Sequence, residues 1–293
     1  MLLMMAPQLV VSGVTTGMLY ALIGLSMTVV YRTTTIVNFG QGDMATAGAY
    51  ATLVFAVGLG LNFGVAVVLA IGVLFALGYV VQRALLRPIA NAPHLALAMM
   101  ALAVGYALRG GARLEWGNQF MTLPRPYPQG ALALGQVVIP TDTLVIVGFV
   151  LLLLLILLVV FQATPLGRLT QAVFQSPRGA ALVGINLDAF HAVAWGVGAA
   201  LGAIGGVLLA IIVPLTPDLG EWVLVQGFAA MALGGFGSLG GVVVGGLLLG
   251  ILEKLLGFYV NSMFIDITGY LITVVVLLVR PQGLFGRRMI VRV

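Results

Sequence analysis

The chain contains no cysteine, so disulfides, thiolate metal sites and cysteine nucleophiles are all excluded. Charge is almost as scarce: Asp, Glu, Lys and Arg make up 7% of the residues, against the quarter expected of a soluble domain. There is one lysine, Lys254, and it is preceded by Ile-Leu-Glu, so no GxxxxGK[ST] phosphate loop is present and the chain cannot hydrolyse ATP by that route. Neither GxSxG nor HExxH occurs, which removes two common routes to hydrolysis. The first nine residues also lack the basic start of a cleaved signal peptide.

What is abundant is apolar surface. Of 293 residues, 61% are hydrophobic and mean hydropathy is +1.19, so water is not the main solvent. A membrane-crossing helix needs about 20 apolar residues and satisfies its backbone polar groups internally. Runs of that kind lie at Leu9–Tyr31, Leu61–Val81, Thr143–Phe161 and Ala189–Val213, and a slightly shorter one lies at Met263–Val279. Shorter or glycine-rich runs lie at Met44–Val57, Leu95–Leu108, Trp222–Phe236 and Gly240–Tyr259. The expectation is a single all-α membrane domain over residues 1–293, a polytopic helix bundle of about nine segments (8–10) with interrupted Gly-rich helices.

The net charge of +5 is spread as isolated or paired arginines between apolar runs, a pattern for membrane orientation and not for nucleic acid. Nine segments place nine arginines (32, 83, 87, 168, 178, 280, 287, 288 and 292) on one face and three (109, 113 and 125) on the other. The first face is then cytoplasmic, with the N-terminus outside and the C-terminus inside. Two connections are long. Residues 109–142 carry four prolines and form an external loop that is no continuous helix. Gln162–Asp188 is cytoplasmic and contains two short helices, at about Leu166–Phe174 and Pro177–Val183, which suits a docking platform.

Glycines recur every four residues at Gly13/Gly17, at Gly198/Gly202/Gly206 and at Gly237/Gly241/Gly245, a spacing that lets helices approach closely. By itself this says packed bundle. Two polar, glycine-rich interruptions, Ile36–Tyr50 and Leu233–Gly246, are better pointers to a solute pathway, although a turn at the membrane surface explains each equally well. They supply the candidate pathway residues Asn38, Gln41, Asp43, Gly237 and Ser238. Of the ionisable residues near the bilayer, Glu253, His94 and His191 read as interfacial; Asp43 stands evenly between a structural and a functional role.

The run GMLYALIGLSMTVVYRTTTIVNFGQGDMATAGAY at Gly17–Tyr50 resembles the opening of the LivH-type permeases of branched-chain amino-acid ABC importers, with Tyr20, Ala21, Leu22, Asn38, Phe39, Gly42 and Asp43 at the shared positions. Gly167–Asn186 looks like the family's cytoplasmic coupling region, and Gly227–Glu253 like its glycine-rich C-terminal signature. Gln41 stands where many relatives have histidine, and TQAVFQSPRGAA is poorer in charge than usual. The resemblance implies a non-enzymatic permease of the inner membrane that binds no cofactor and no metal. Its implied partners are a second, related permease, two cytoplasmic ATPase subunits that hold the ATP, and an extracytoplasmic solute-binding protein. It also implies coupling through Gly167, Arg168, Gly184 and Ile185. Alternatives are an ion- or proton-coupled carrier and an ABC permease for urea or short amides.

Overall fold

A computed structural model describes residues 5–135 and 137–286. Each of the nine apolar runs is a helix: α1 (Ala6–Thr34), α2 (Gln41–Leu53), α3 (Phe63–Val80), α4 (His94–Trp116), α5 (Thr141–Ala163), α8 (Leu187–Ile212), α9 (Leu219–Gly234), α10 (Leu239–Tyr259) and α11 (Phe264–Val279). Two short helices, α6 (Pro165–Gln175) and α7 (Pro177–Leu182), fall where the cytoplasmic platform was expected. Six of the helical stretches are long and apolar enough to cross a membrane: α1, α3 with its extension to Ile89, α4, α5, α8 and α10. Helices α9 and α11 are apolar but shorter. Arg287, Arg288 and Arg292, counted above for orientation, lie outside the described residues.

The helix starts follow from local chemistry. Asn62, Ser176, Asn186 and Ser238 each accept a hydrogen bond from a backbone N–H in the first turn of α3, α7, α8 and α10, which satisfies one of the donors a helix leaves orphaned. Two expectations fail. The 109–142 connection begins only after Trp116, because α4 continues through Arg109 and Arg113. It also contains a β-hairpin, β1 (Ala131–Leu134) paired antiparallel with β2 (Val137–Pro140), so the chain is not purely α-helical. Gln8 holds that hairpin through both its amide atoms, which donate to the Val138 carbonyl and accept from the Val138 N–H at 2.9 Å each.

The chain divides into two compact units. The first comprises the chain up to Thr28, residues 129–150 and the chain from Val225 onward. Here α1 and α10 meet backbone to backbone: a Cβ on Gly17 would lie 2.6 Å from the Gly246 carbonyl oxygen, and one on Gly250 would lie 2.4 Å from that of Gly13. The turn after α9 needs Gly235 at φ +107°, and the end of α9 is closed by the Leu284 and Phe285 N–H groups donating to the Leu233 and Gly234 carbonyls. Glu253, expected at a wet interface, is instead fully buried and accepts from the Tyr20 hydroxyl at 2.7 Å.

The second unit comprises residues 29–128 and 151–224. Its core gathers Met44, Leu74, Leu86, Leu97, Trp195 and Ala199 from α2, α3, α4, α8 and the π-helical turns that extend α3. Helix α2 is seated on α8 by small residues. A Cβ on Gly206 would meet the Ala45 carbonyl oxygen at 1.9 Å, and one on Gly48 would meet the Ala203 Cα at 2.5 Å. The four-residue glycine spacing of α8 therefore marks a helix contact, as such spacing does generally.

Candidate functional site

Everything that follows in this site lies within the second unit. The turn before α2 is built by Asn38, whose Oδ1 accepts from the Gly40 N–H at 3.0 Å while its Nδ2 donates to Gln41 Oε1 at 2.8 Å. Gln41 then donates through Nε2 to the Gly198 carbonyl at 2.9 Å. Both amides are buried and occupied. They fix the entry of α2 against α8, which is a scaffolding role.

Beyond that turn α2 carries Asp43, Thr46 and Tyr50 at helical spacing along one face. Helix α4 carries Arg109, Ala112 and Trp116 at the matching spacing. Asp43 Oδ1 accepts from Arg109 Nε at 2.9 Å, and Arg109 Nη1 donates to Glu221 Oε2, in the first turn of α9, at 2.6 Å. Arg113, one turn further along α4, pairs with Asp218. At the inner end of the chain of charges Gly105 makes room: a Cβ there would sit 2.5 Å from Asp43 Oδ2.

Exposure ranks these links. The side chains of Asp43 and Arg109 are 2% and 8% exposed, whereas that of Glu221 is 64% exposed. A buried charge costs several kcal/mol to desolvate and persists only when paired. The Asp43–Arg109 bond is thus the link whose loss from one side costs more, and the Glu221 end is screened by solvent. The Arg109 guanidinium also lies 5.2 Å from the centre of the Tyr106 ring.

A cavity of about 230 Å³ adjoins the pair, lined by Asp43, Thr46, Tyr50, Arg109 and Trp116 together with apolar side chains. Tyr50 and Trp116 stack with centroids 4.5 Å apart. The Tyr50 hydroxyl is buried and has no hydrogen-bond partner among the described residues. Also among the described residues, no three His, Asp or Glu side chains are grouped to hold a metal ion.

Compared with known proteins, residues 9–280 match the family model described as "Branched-chain amino acid transport system / permease component". The chain belongs to that permease family. Its relatives include the high-affinity branched-chain amino acid transport system permease protein LivH of Escherichia coli, 31% identical over 96% of this chain and 95% of LivH. The corresponding protein BraD of Pseudomonas aeruginosa is 30% identical over 96% of this chain and 95% of its own. The probable branched-chain amino acid transport permease protein LivH of Methanocaldococcus jannaschii is 30% identical over 92% of this chain and 89% of its own.

In this permease, the candidate residues from the sequence separate by role. Asp43 lines the cavity. Asn38 and Gln41 brace it from behind through the turn that starts α2. Gly237 and Ser238 belong to the first unit, where Gly237 takes φ +82° in the turn after α9 and Ser238 Oγ accepts from the Gly241 N–H at 3.2 Å to cap α10. Gly167 is buried so tightly that a Cβ would lie 2.0 Å from the Phe161 carbonyl oxygen. Arg168 and Gly184 are exposed, and Gly184 takes φ +90° to close α7. The sequence reading missed Arg109, Tyr50, Trp116 and Glu221. The available signal was the spacing of Arg109 and Arg113 by four, which puts both on one face if α4 continues past Leu108.

Proposed function

We propose that this chain is a membrane-embedded permease subunit of an ATP-driven importer that carries branched-chain or closely related amino acids across the inner membrane. The observation that carries the reading is the end-to-end family match over residues 9–280. Six span-capable helices support it. The partners are a second, related permease, two cytoplasmic ATPase subunits and an extracytoplasmic solute-binding protein, with ATP held by the ATPases and no cofactor by this chain. The nine helices that correspond to the apolar runs are the membrane segments, with the N-terminus outside and the C-terminus in the cytoplasm.

In this reading ATPase closure pushes on α6 and α7. Gly167 keeps α6 tight against the end of α5, Arg168 and the Gly184–Ile185 turn face the ATPase, and the exposed Leu182 and Val183 supply an apolar contact. The push exposes the solute pathway alternately to the two sides, driven by contacts that differ between the two states. Asp43 belongs to that pathway, with Asn38 and Gln41 supporting it and Gly237 and Ser238 shaping the second interruption. One observation favours the runner-up, an ion- or proton-coupled carrier: Asp43, Arg109 and Glu221 link ionisable groups from three apolar helices. Uptake of labelled leucine by cells expressing this chain with and without the candidate ATPases separates the two. ATPase-independent uptake contradicts the importer.

A further inference from the structure

The cavity between α2 and α4 holds more unused recognition chemistry than scaffolding requires. Arg109 has five N–H donors. Nε and Nη1 are engaged by Asp43 and Glu221, and Nη2 makes no hydrogen bond among the described residues. Asp43 spends only Oδ1, leaving Oδ2 without a donor among the described residues. The Tyr50 hydroxyl is likewise buried and unpartnered, and the stacked Tyr50 and Trp116 rings offer aromatic faces. The wall is completed by Thr46, whose hydroxyl donates to the Gly42 carbonyl, and by the apolar Ala47, Ala51, Val54, Leu108, Ala112 and Pro217.

From this arrangement we infer that the cavity is a binding site for a free zwitterionic α-amino acid with a short aliphatic side chain. The inference deepens the importer reading by naming a site and a recognised chemistry. The open guanidinium edge takes the carboxylate, in the planar geometry that arginine provides. Asp43 Oδ2 and the aromatic faces take the ammonium. The local charges favour a ligand that brings its own cation: among the described residues the three carboxylates Asp43, Asp218 and Glu221 form ion pairs with two arginines, Arg109 and Arg113. At about 230 Å³ the cavity is smaller than the roughly 300 Å³ at which drug-sized pockets begin, which suits a solute as small as leucine. A carboxylate on Arg109 also competes with Asp43 and Glu221 for the same guanidinium, so occupancy loosens the charge chain that ties α2 to α4 and α9.

The test is saturation-transfer NMR on the full chain in lipid nanodiscs, without ATP or the binding protein, a method suited to weak binding. Leucine should give transfer to its methyl protons. Leucinamide, which lacks the carboxylate, and 4-methylpentanoate, which lacks the ammonium, should each bind about tenfold more weakly, as the loss of one charge-assisted contact implies. Ala47→Trp, which fills the cavity, should abolish the leucine signal. Absence of saturable leucine transfer, equal binding of leucinamide, or an unchanged signal in a well-assembled Ala47→Trp protein overturns the site. Should that variant not assemble, the three ligands on the unmodified chain still decide. Leucine uptake without binding here sinks this site and leaves the importer standing; binding here without ATP-driven uptake does the reverse.

Discussion

Removing the Arg109 guanidinium should expose how much of this fold depends on one buried ion pair. In Arg109→Leu the Asp43 carboxylate, 2% exposed in the unmodified chain, loses its only hydrogen-bond donor among the described residues. Breaking a buried pair from one side costs about 3–5 kcal/mol, and the lower end applies because the adjoining cavity lets water approach. Glu221→Gln removes a partner at the exposed end and should cost about 0–1 kcal/mol. The double variant Asp43→Val/Arg109→Leu removes both charges and should recover most of the loss, since an apolar pair of similar volume often substitutes without penalty. The assay is SDS-induced unfolding of the detergent-purified chain followed by tryptophan fluorescence, with far-UV circular dichroism as a second probe. If Arg109→Leu is no less stable than Glu221→Gln, or if the double variant is less stable than Arg109→Leu, the pair is not what holds α2 to α4.

Three further outcomes follow from the same structure. Gly206→Ala drives a methyl to 1.9 Å from the Ala45 carbonyl oxygen and should destabilise the chain by about 1–3 kcal/mol, whereas Gly72→Ala, with open space around it, should be neutral or stabilising by about 0.5–1 kcal/mol in the same unfolding assay. Because the chain has no cysteine, single cysteines report topology directly: an impermeant maleimide applied to right-side-out vesicles should label Phe120→Cys and spare Gln175→Cys, and the opposite pattern reverses the orientation. Leu182→Glu, on a side chain that is 88% exposed, should leave insertion and unfolding unchanged yet abolish solute-stimulated ATP hydrolysis; normal stimulation would place the coupling surface elsewhere.

The helices were legible because each apolar run is long or bounded by glycine and polar residues, and local chemistry settles such segments. Even the short pair α6 and α7 could be read, since Pro165 and Pro177 open them and Ser176 caps the second. The site was half legible. Asp43 stood out as a carboxylate inside an apolar run, but Arg109 looked like the start of a loop because Gly110 and Gly111 follow it. What pairs the buried Arg109 guanidinium is a carboxylate 66 positions away, and no local pattern carries that information. Glu253 escaped for the same reason, its Tyr20 partner lying 233 positions away. The hairpin had a signal, Gly135 between ALAL and VVIP, that the prolines upstream obscured. Asn38 and Gln41 were chosen for polarity alone, and only the path of α8 past α2 shows that the Gly198 carbonyl occupies Gln41.

The central claim, that this permease moves amino acids at the expense of ATP on partner subunits, is tested most directly in proteoliposomes. The chain is reconstituted with the proposed permease and ATPase partners, the proposed binding protein and labelled leucine are supplied outside, and ATP is either enclosed or omitted, with ionophores present to abolish all ion gradients. Accumulation of leucine above its outside concentration only when ATP is enclosed is the result the account predicts, and accumulation that needs an ion gradient and ignores ATP would contradict it.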